Sequence, residues 1–266
     1  MKQLLSIEFT KLKRLTSLKV ILMIYMLMVP AWMFFLSYFY HAIIDPIFRI
    51  HRNIWAFPEI WNFSTFAASF FNLLMGVTVV IIICNEYTFR TIKQNVIDGM
   101  TKKEVIMSKF LVVFTLATIV TLYTALVALI FGLVNGGIDE IYRNCHYIFI
   151  YYLQALGYFS FAFFFAILVK RPALAIIFFI VSFIAEWIVG IIITLNVSKT
   201  IYNYFPLNVF SKLTPNPLSA ELEKVAKMQG GQVFPDLSMS TNILLSLLYL
   251  SLFFVLSYLI LKRKDI

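Results

Sequence analysis

Residues 86–109 read EYTFRTIKQNVIDGMTKKEVIMSK and separate two apolar runs, each long enough to cross a bilayer. Within this stretch Phe89, Ile92 and Val96 recur at helical spacing, with basic and polar side chains between them. That spacing predicts a short amphipathic helix. The alternative interpretation is a solvated basic loop whose positive charge only sets the orientation of the chain in the membrane.

The second half of the stretch carries signals for the end of one helix and the start of another. Gly99 suits a helix C-terminus, since glycine accepts the backbone conformation that often ends helices. Thr101 and Glu104 have the Thr-x-x-Glu spacing of a capping box, followed by the apolar Val105 and Ile106. Residues 86–109 are therefore predicted to form a structured loop.

The composition indicates a membrane protein. Of 266 residues, 61% are hydrophobic and only 13% are charged, and the mean hydropathy is +0.88. Such a chain has too little polar surface to cover a water-soluble globule. The net charge of +9 lies in blocks that flank the apolar runs, and not on one amphipathic face. It therefore reports membrane topology, and we expect no nucleic-acid partner.

The apolar runs predict an all-α integral membrane protein with six transmembrane helices in a single domain, residues 1–266. The six runs are 18–40, 62–85, 108–134, 147–169, 172–195 and 242–261. Residues 1–17 have an apolar stripe opposite basic side chains, which predicts an interfacial amphipathic helix. Most Lys and Arg residues fall on the side that holds 86–109, so both termini and this loop are predicted to be cytoplasmic, with 196–241 outside.

Small and polar residues form stripes inside two of the predicted spans. Those of the second and fifth spans are Thr65, Ser69, Asn72, Gly76, Ser182, Glu186 and Gly190. Polar groups are costly against lipid, so these residues are predicted to face a helix interface or a cavity wall. Helix packing alone is the simpler explanation, but an intramembrane carboxylate such as Glu186 needs more than packing to explain it.

Familiar catalytic motifs are missing from the sequence. It has no phosphate-binding loop, no Gly-x-Ser-x-Gly elbow and no His-Glu-x-x-His pair, and its three histidines lack companions at ligand spacing. We therefore expect no catalytic residues, no metal site and no cofactor on this chain. Any energy source for its activity would have to come from elsewhere.

Several segments together resemble the permease subunit of bacterial ABC-2 type transporters, including the antibiotic and bacteriocin resistance permeases. They are the basic start IEFTKLKR, the six spans, the 86–109 loop, the turn KRPALAI and the basic C-terminus. The loop is similar to the family pattern at Glu86, Thr91, Ile92, Gly99, Thr101, Lys102, Glu104 and Lys109. The resemblance implies that this loop is a coupling helix that docks on an ATPase. The implied coupling residues are Glu86, Phe89, Arg90, Thr91, Ile92, Lys93, Val96, Gly99, Thr101, Lys102 and Glu104.

The resemblance also implies the cellular setting. The chain would be a multi-pass subunit of an exporter in the bacterial inner (cytoplasmic) membrane, surrounded by lipid. Its partners would be two copies of an ABC ATPase, which binds ATP and Mg, and a second permease, identical or homologous. A secondary transporter or channel that uses Glu186 is the alternative, and a membrane-embedded enzyme is disfavoured because no catalytic pair can be placed at one depth.

The predicted orientation can be tested with a thiol reagent that does not cross the membrane. The topology puts Cys84 and Cys145 at opposite ends of the third span region, so the reagent should reach Cys145 from outside and leave Cys84 unmodified. Modification of a cysteine introduced at Lys102 in intact cells would show that the orientation is wrong.

Overall fold

The computed structural model describes residues 15–44, 53–89, 101–138, 140–196, 199–219 and 237–263, together with the single positions 91, 94, 97 and 99. Every regular element in these ranges is a helix. Nearly all of the predicted interfacial helix at 1–17 lies outside the described residues, as do four of the coupling residues: Arg90, Ile92, Lys93 and Val96.

The elements in chain order are α1 (Thr16–Phe39), continued by a π-helical turn (Tyr40–Ile44), α2 (Glu59–Ser69), α3 (Asn72–Thr88), α4 (Lys102–Gly136), α5 (His146–Val169), α6 (Pro172–Asn196), α7 (Lys199–Tyr202), α8 (Pro206–Ser211) and α9 (Met239–Arg263). Helices α1, α4, α5, α6 and α9 are each long and apolar enough to cross a membrane. The bent pair of α2 and α3 makes a sixth if it is counted as one span. The fold is consistent with a helical integral membrane protein.

Helix α5 lies at the centre of the bundle. It packs against α2, α3, α4, α6, α8 and α9, and its bulky Tyr151, Phe159 and Phe163 are completely buried. Helix α6, in contrast, leaves large apolar side chains such as Ile177 and Phe178 exposed. A membrane helix at the edge of a bundle exposes apolar side chains because lipid covers them.

The second predicted span, 62–85, is broken in the structure. Helix α2 ends at Ser69, α3 begins at Asn72, and their axes differ by 50°. The hydroxyls of Thr65 and Ser69 donate to carbonyls three or four residues earlier in α2. The backbone N–H of Phe71 bonds to the carbonyl three residues before it instead of four. Such back-bonding and tightening bend helices, and apolar run length does not reveal them.

The turn between α5 and α6 is as tight as its Lys-Arg-Pro sequence predicts. Lys170 takes a left-handed conformation with φ of 62°, and its N–H bonds to the Ala166 carbonyl at 3.0 Å. Pro172 then begins α6, where its missing N–H costs no helical hydrogen bond.

The segment after α6, predicted to lie outside the membrane, folds back into the bundle. Gly157 and Gly190 lie in the interiors of α5 and α6, and a Cβ on either glycine would overlap an aromatic ring of the returning segment, Phe210 or Tyr202 respectively. Residues 199–214, which contain α7 and α8, pack back against α5 and α6, and two glycines make room for them; in this sense we call them the re-entrant segment. Beyond α8 the Asn216 Oδ1 accepts a hydrogen bond from the Leu218 N–H at 3.0 Å.

Candidate functional site

The start of α4 has the predicted capping box. The Thr101 Oγ1 accepts a hydrogen bond from the Glu104 N–H at 3.3 Å, and the Glu104 Oε2 accepts one from the Thr101 N–H at 2.8 Å. Two residues earlier Gly99 has φ of +96°, a conformation that disfavours any side chain. This local chemistry ends the preceding turn and begins α4 at Lys102, so the structure confirms the capping box.

The two ends of the 86–109 loop are joined by a buried ion pair. The Lys109 Nζ on α4 lies 2.6 Å from the Glu86 Oε1 and 2.5 Å from the Oε2 on α3, and the two residues are only 3% and 8% exposed. Removing one partner would leave a charge buried without its counter-ion, which is strongly destabilising. The pair therefore fixes α3 and α4 to each other where the loop begins and ends.

Between these fixed ends the loop exposes apolar side chains. Phe89 is 72% exposed and Ile97 is 77% exposed, and positions 91, 94 and 97 are helical. Ile97 was not among the predicted coupling residues, and Phe89 is the C-cap residue of α3. These two side chains are apolar groups that the described part of the loop offers to a partner.

Glu186 binds the beginning of a neighbouring helix. Its Oε1 accepts a hydrogen bond from the Asn208 N–H at 2.7 Å, and its Oε2 accepts one from the Leu207 N–H at 3.2 Å. Both donors lie in the first turn of α8, where backbone N–H groups have no partner within the helix. Glu186 is therefore a cap supplied by α6 to the re-entrant α8, and it lies at a helix interface.

The other two residues of the predicted fifth-span stripe differ in their contacts. Gly190 is buried under the ring of Tyr202 and so faces the re-entrant segment. The Ser182 hydroxyl donates to a carbonyl of its own helix, that of Phe179, at 2.6 Å, and Ser182 is half-buried. Glu186 and Gly190 thus face the re-entrant segment, while large apolar side chains of α6 are exposed elsewhere on the helix.

A buried polar network crosses the bundle next to the break between α2 and α3. Asn72, the first residue of α3, accepts a hydrogen bond from the Tyr151 hydroxyl at 3.2 Å, and its Nδ2 donates to the Gln154 Oε1 at 3.2 Å. The Tyr151 hydroxyl also lies 2.9 Å from that of Tyr25 on α1. All four side chains are 1% exposed or less. Of these, only Asn72 was singled out from the sequence.

Gln154 extends the network to the re-entrant segment. Its Nε2 donates to the Phe210 carbonyl at 3.0 Å and to the Thr214 Oγ1 at 2.8 Å, so both amide hydrogens are bonded within the protein. The network therefore holds α3, α5 and the residues that follow α8 together. An unbonded amide in this interior would be costly.

The predicted stripe on the second span is not continuous, because the chain bends between Ser69 and Asn72. Thr65 and Asn72 are buried and Ser69 is half-buried, while Gly76 packs against the Phe179 ring of α6. In the part of the chain that the structure describes, no group of three His, Cys, Asp or Glu residues is arranged to hold a metal ion.

A family model matches most of the sequence. Its description is "Protein of unknown function (DUF2705)", and it matches residues 42–266. The chain belongs to this family. The matched residues include the 86–109 loop, Glu186 and the polar network except Tyr25. No curated protein sequence matches this DUF2705 chain.

The buried ion pair predicts a non-additive effect on stability. Glu86→Leu removes the carboxylate that pairs with the buried Lys109 ammonium, so we expect a loss of about 3–5 kcal/mol and a lower melting temperature in detergent. The double variant with Lys109→Leu should recover most of that loss because neither member of the pair then remains without the other. The matched control is Glu140→Leu, which removes the exposed pair with Arg143 and should change the melting temperature little. A double variant no more stable than Glu86→Leu would contradict this account.

The polar network predicts a second stability effect. Gln154→Leu nearly preserves side-chain volume but removes three buried hydrogen bonds, so the free energy of unfolding should fall by about 1–3 kcal/mol. Asn135→Leu is the control, since its amide donates only to the Phe131 carbonyl one turn earlier, at an exposed helix end. Equal melting temperatures for the two variants would show that the network does not stabilise the bundle.

Proposed function

We propose that this protein is the permease subunit of an ATP-binding cassette exporter of the ABC-2 type, with residues 86–109 as the docking site for a separate ATPase. The observation that carries the proposal is the form of that loop. It exposes Phe89 and Ile97, and its ends are fixed by the buried pair of Glu86 and Lys109. A loop held in this way can pass a push from a docked partner to α3 and α4 as a rigid-body shift.

The helical layout supports the same proposal. Counting α2 and α3 as one broken span gives six spans, with the loop between the second and third. In the proposed orientation both termini and this loop lie on the cytoplasmic side of a bacterial cytoplasmic membrane, and the re-entrant α7 and α8 approach from outside. The chain itself has no nucleotide-binding motif, so ATP and Mg would bind to the partner, and this chain would not be an enzyme.

The internal contacts suggest how a push would reach the transport pathway. Helix α3 begins at Asn72, which is bonded through Gln154 to the re-entrant segment. Glu186 on α6 caps that same segment. A tilt of α3 would therefore act on the elements that fill the outer half of the bundle. In the proposed assembly two such permeases, identical or homologous, enclose the pathway, two ATPase copies drive it, and lipid surrounds it.

A secondary transporter or channel that depends on Glu186 is the second candidate. One observation favours it: the Glu186 carboxylate belongs to an apolar helix long enough to cross a membrane, and it lines a small cavity. The two functions differ in their partners, because only the exporter requires a stoichiometric subunit with a phosphate-binding loop. Isolation of the chain from its native membrane in mild detergent, with identification of what accompanies it, separates them.

Docking is tested with a double variant of the two exposed apolar residues. Phe89→Asp combined with Ile97→Asp would place carboxylates in an apolar groove of the ATPase, and burial of an unpaired charge costs several kcal/mol. We expect the ATPase bound to the permease to fall by at least about tenfold, with normal membrane insertion.

The control is Tyr142→Asp, a substitution at an 88% exposed aromatic residue in the connection between α4 and α5, beyond the opposite end of α4. It should leave the amount of bound ATPase unchanged. If the wild-type chain carries no ATPase, the exporter proposal is wrong. If the double variant retains the ATPase and transports normally, only the docking assignment is wrong.

A further inference from the structure

A cavity of about 150 Å³ lies beside Glu186, between α5, α6 and the re-entrant segment. Four of its wall residues are aromatic, namely Tyr158, Phe183, Trp187 and Tyr202. Glu186 is the one acidic residue among the described residues that line it, and none of them is basic. A single carboxylate among aromatic rings differs from the amides and hydroxyls that make up the polar network.

When Glu186 is ionised, its charge has no full counter-charge among the residues that the structure describes. Each carboxylate oxygen accepts one backbone N–H from α8, which leaves further lone pairs on both oxygens. Among the residues that the structure describes, no Lys, Arg or His forms an ion pair with Glu186. An ionised carboxylate within a membrane span is costly unless opposite charge lies near it. A bound cation would supply that charge.

The aromatic walls are held in place. The rings of Tyr158 and Phe183 are stacked with centroids 5.6 Å apart and planes 22° apart, and Tyr202 is packed on Gly190. Burial and the Glu186 carboxylate both raise the pKa of Tyr202, which lies in α7 outside the long spans, so its phenol stays neutral. Aromatic faces attract cations through their quadrupole, and tryptophan does so most strongly.

The chemistry of the walls selects the class of cation. Mg²⁺ and Ca²⁺ need six or more oxygen ligands, and rings cannot replace the waters that these ions would lose. An alkylated ammonium group gives up little hydration and is suited to ring faces and one carboxylate. The small volume limits the site to a compact group.

We propose that this cavity binds a compact organic ammonium group, with Glu186 as its counter-ion and the four aromatic rings as its walls. The group could belong to a free small cation or to the head group of a lipid. Trp187 is 63% exposed on α6, so the cavity borders a surface that lipid covers. The proposal does not rest on the exporter function, since binding to the purified chain can be measured without any partner.

The probe is radiolabelled choline, added to the full-length chain purified in an uncharged detergent. Its neutral isostere 3,3-dimethyl-1-butanol has the same shape without the charge. We expect choline to bind saturably and the isostere to compete at least about tenfold more weakly, since only the cation interacts with the carboxylate and the ring faces. Absence of saturable choline binding, or equal competition by the isostere, would overturn the proposal.

Two variants test the two parts of the cavity. Glu186→Gln should weaken choline binding at least about tenfold, because the counter-charge is lost. Trp187→Leu should weaken it several-fold and Trp187→Phe should weaken it less, because phenylalanine keeps a ring face. Trp187 is largely exposed, so its variants leave the fold intact even if loss of the Glu186 cap does not. Phe178→Leu, on the exposed face of the same helix, is the control and should bind as the wild type does. Unchanged affinity in both Trp187→Leu and folded Glu186→Gln would also overturn the proposal.

Lipid discs then identify the source of the ammonium group. Choline binding is compared in discs of phosphatidylglycerol alone and in discs that also contain phosphatidylcholine. Weaker choline binding in the second kind assigns the site to the lipid head group, because its ammonium competes. Equal binding in the two kinds assigns the site to a free cation.

Discussion

The hydrogen bond between Asn72 and Gln154 joins the two places where the chain departs from regular helix inside the bundle. Asn72 begins α3 just after the 50° break, and Gln154 holds the Phe210 carbonyl at the end of the re-entrant α8. Irregular backbone at membrane depth survives only where protein groups satisfy it. The broken span and the re-entrant segment therefore depend on the same central helix, α5, and on one amide pair.

A buried ion pair lies at the end of α3 that is opposite to Asn72. The pair of Glu86 and Lys109 is buried, whereas the pair of Glu140 and Arg143 lies open to solvent with side chains that are 52% and 68% exposed. Removing one member destabilises the fold only for the buried pair, because its charged groups are no longer hydrated. Helix α3 runs from this ion pair to the polar network, so the loop and the re-entrant segment are fixed to the two ends of one helix. That continuity is the physical path that the proposed coupling would use.

Sequence patterns predicted the features that are determined by residues close together in the sequence. The long helices follow from apolar run length, the start of α4 from a four-residue capping box, and the α5–α6 turn from Lys-Arg-Pro. What they missed depends on residues distant in sequence. Glu86 was selected from the sequence, but its pairing with Lys109 needs α3 and α4 side by side. Gln154 and Tyr151 were overlooked because a single polar residue in an apolar run does not reveal its partner. The short α7 and α8 carry too few residues for helical periodicity to reveal them.

Glu186 was singled out because a charged side chain within a membrane span has a high free-energy cost. The structure shows which groups of the protein reduce that cost. Two N–H groups of α8 hold the carboxylate in place, yet hydrogen bonds and a short helix supply only partial positive charge. Carboxylates cap helix N-termini as neutral Ser, Thr and Asn do, so capping accounts for these two hydrogen bonds. The carboxylate also carries a net negative charge, which the proposed cation site requires. The aromatic rings beside it would bind the same ammonium group that the carboxylate attracts.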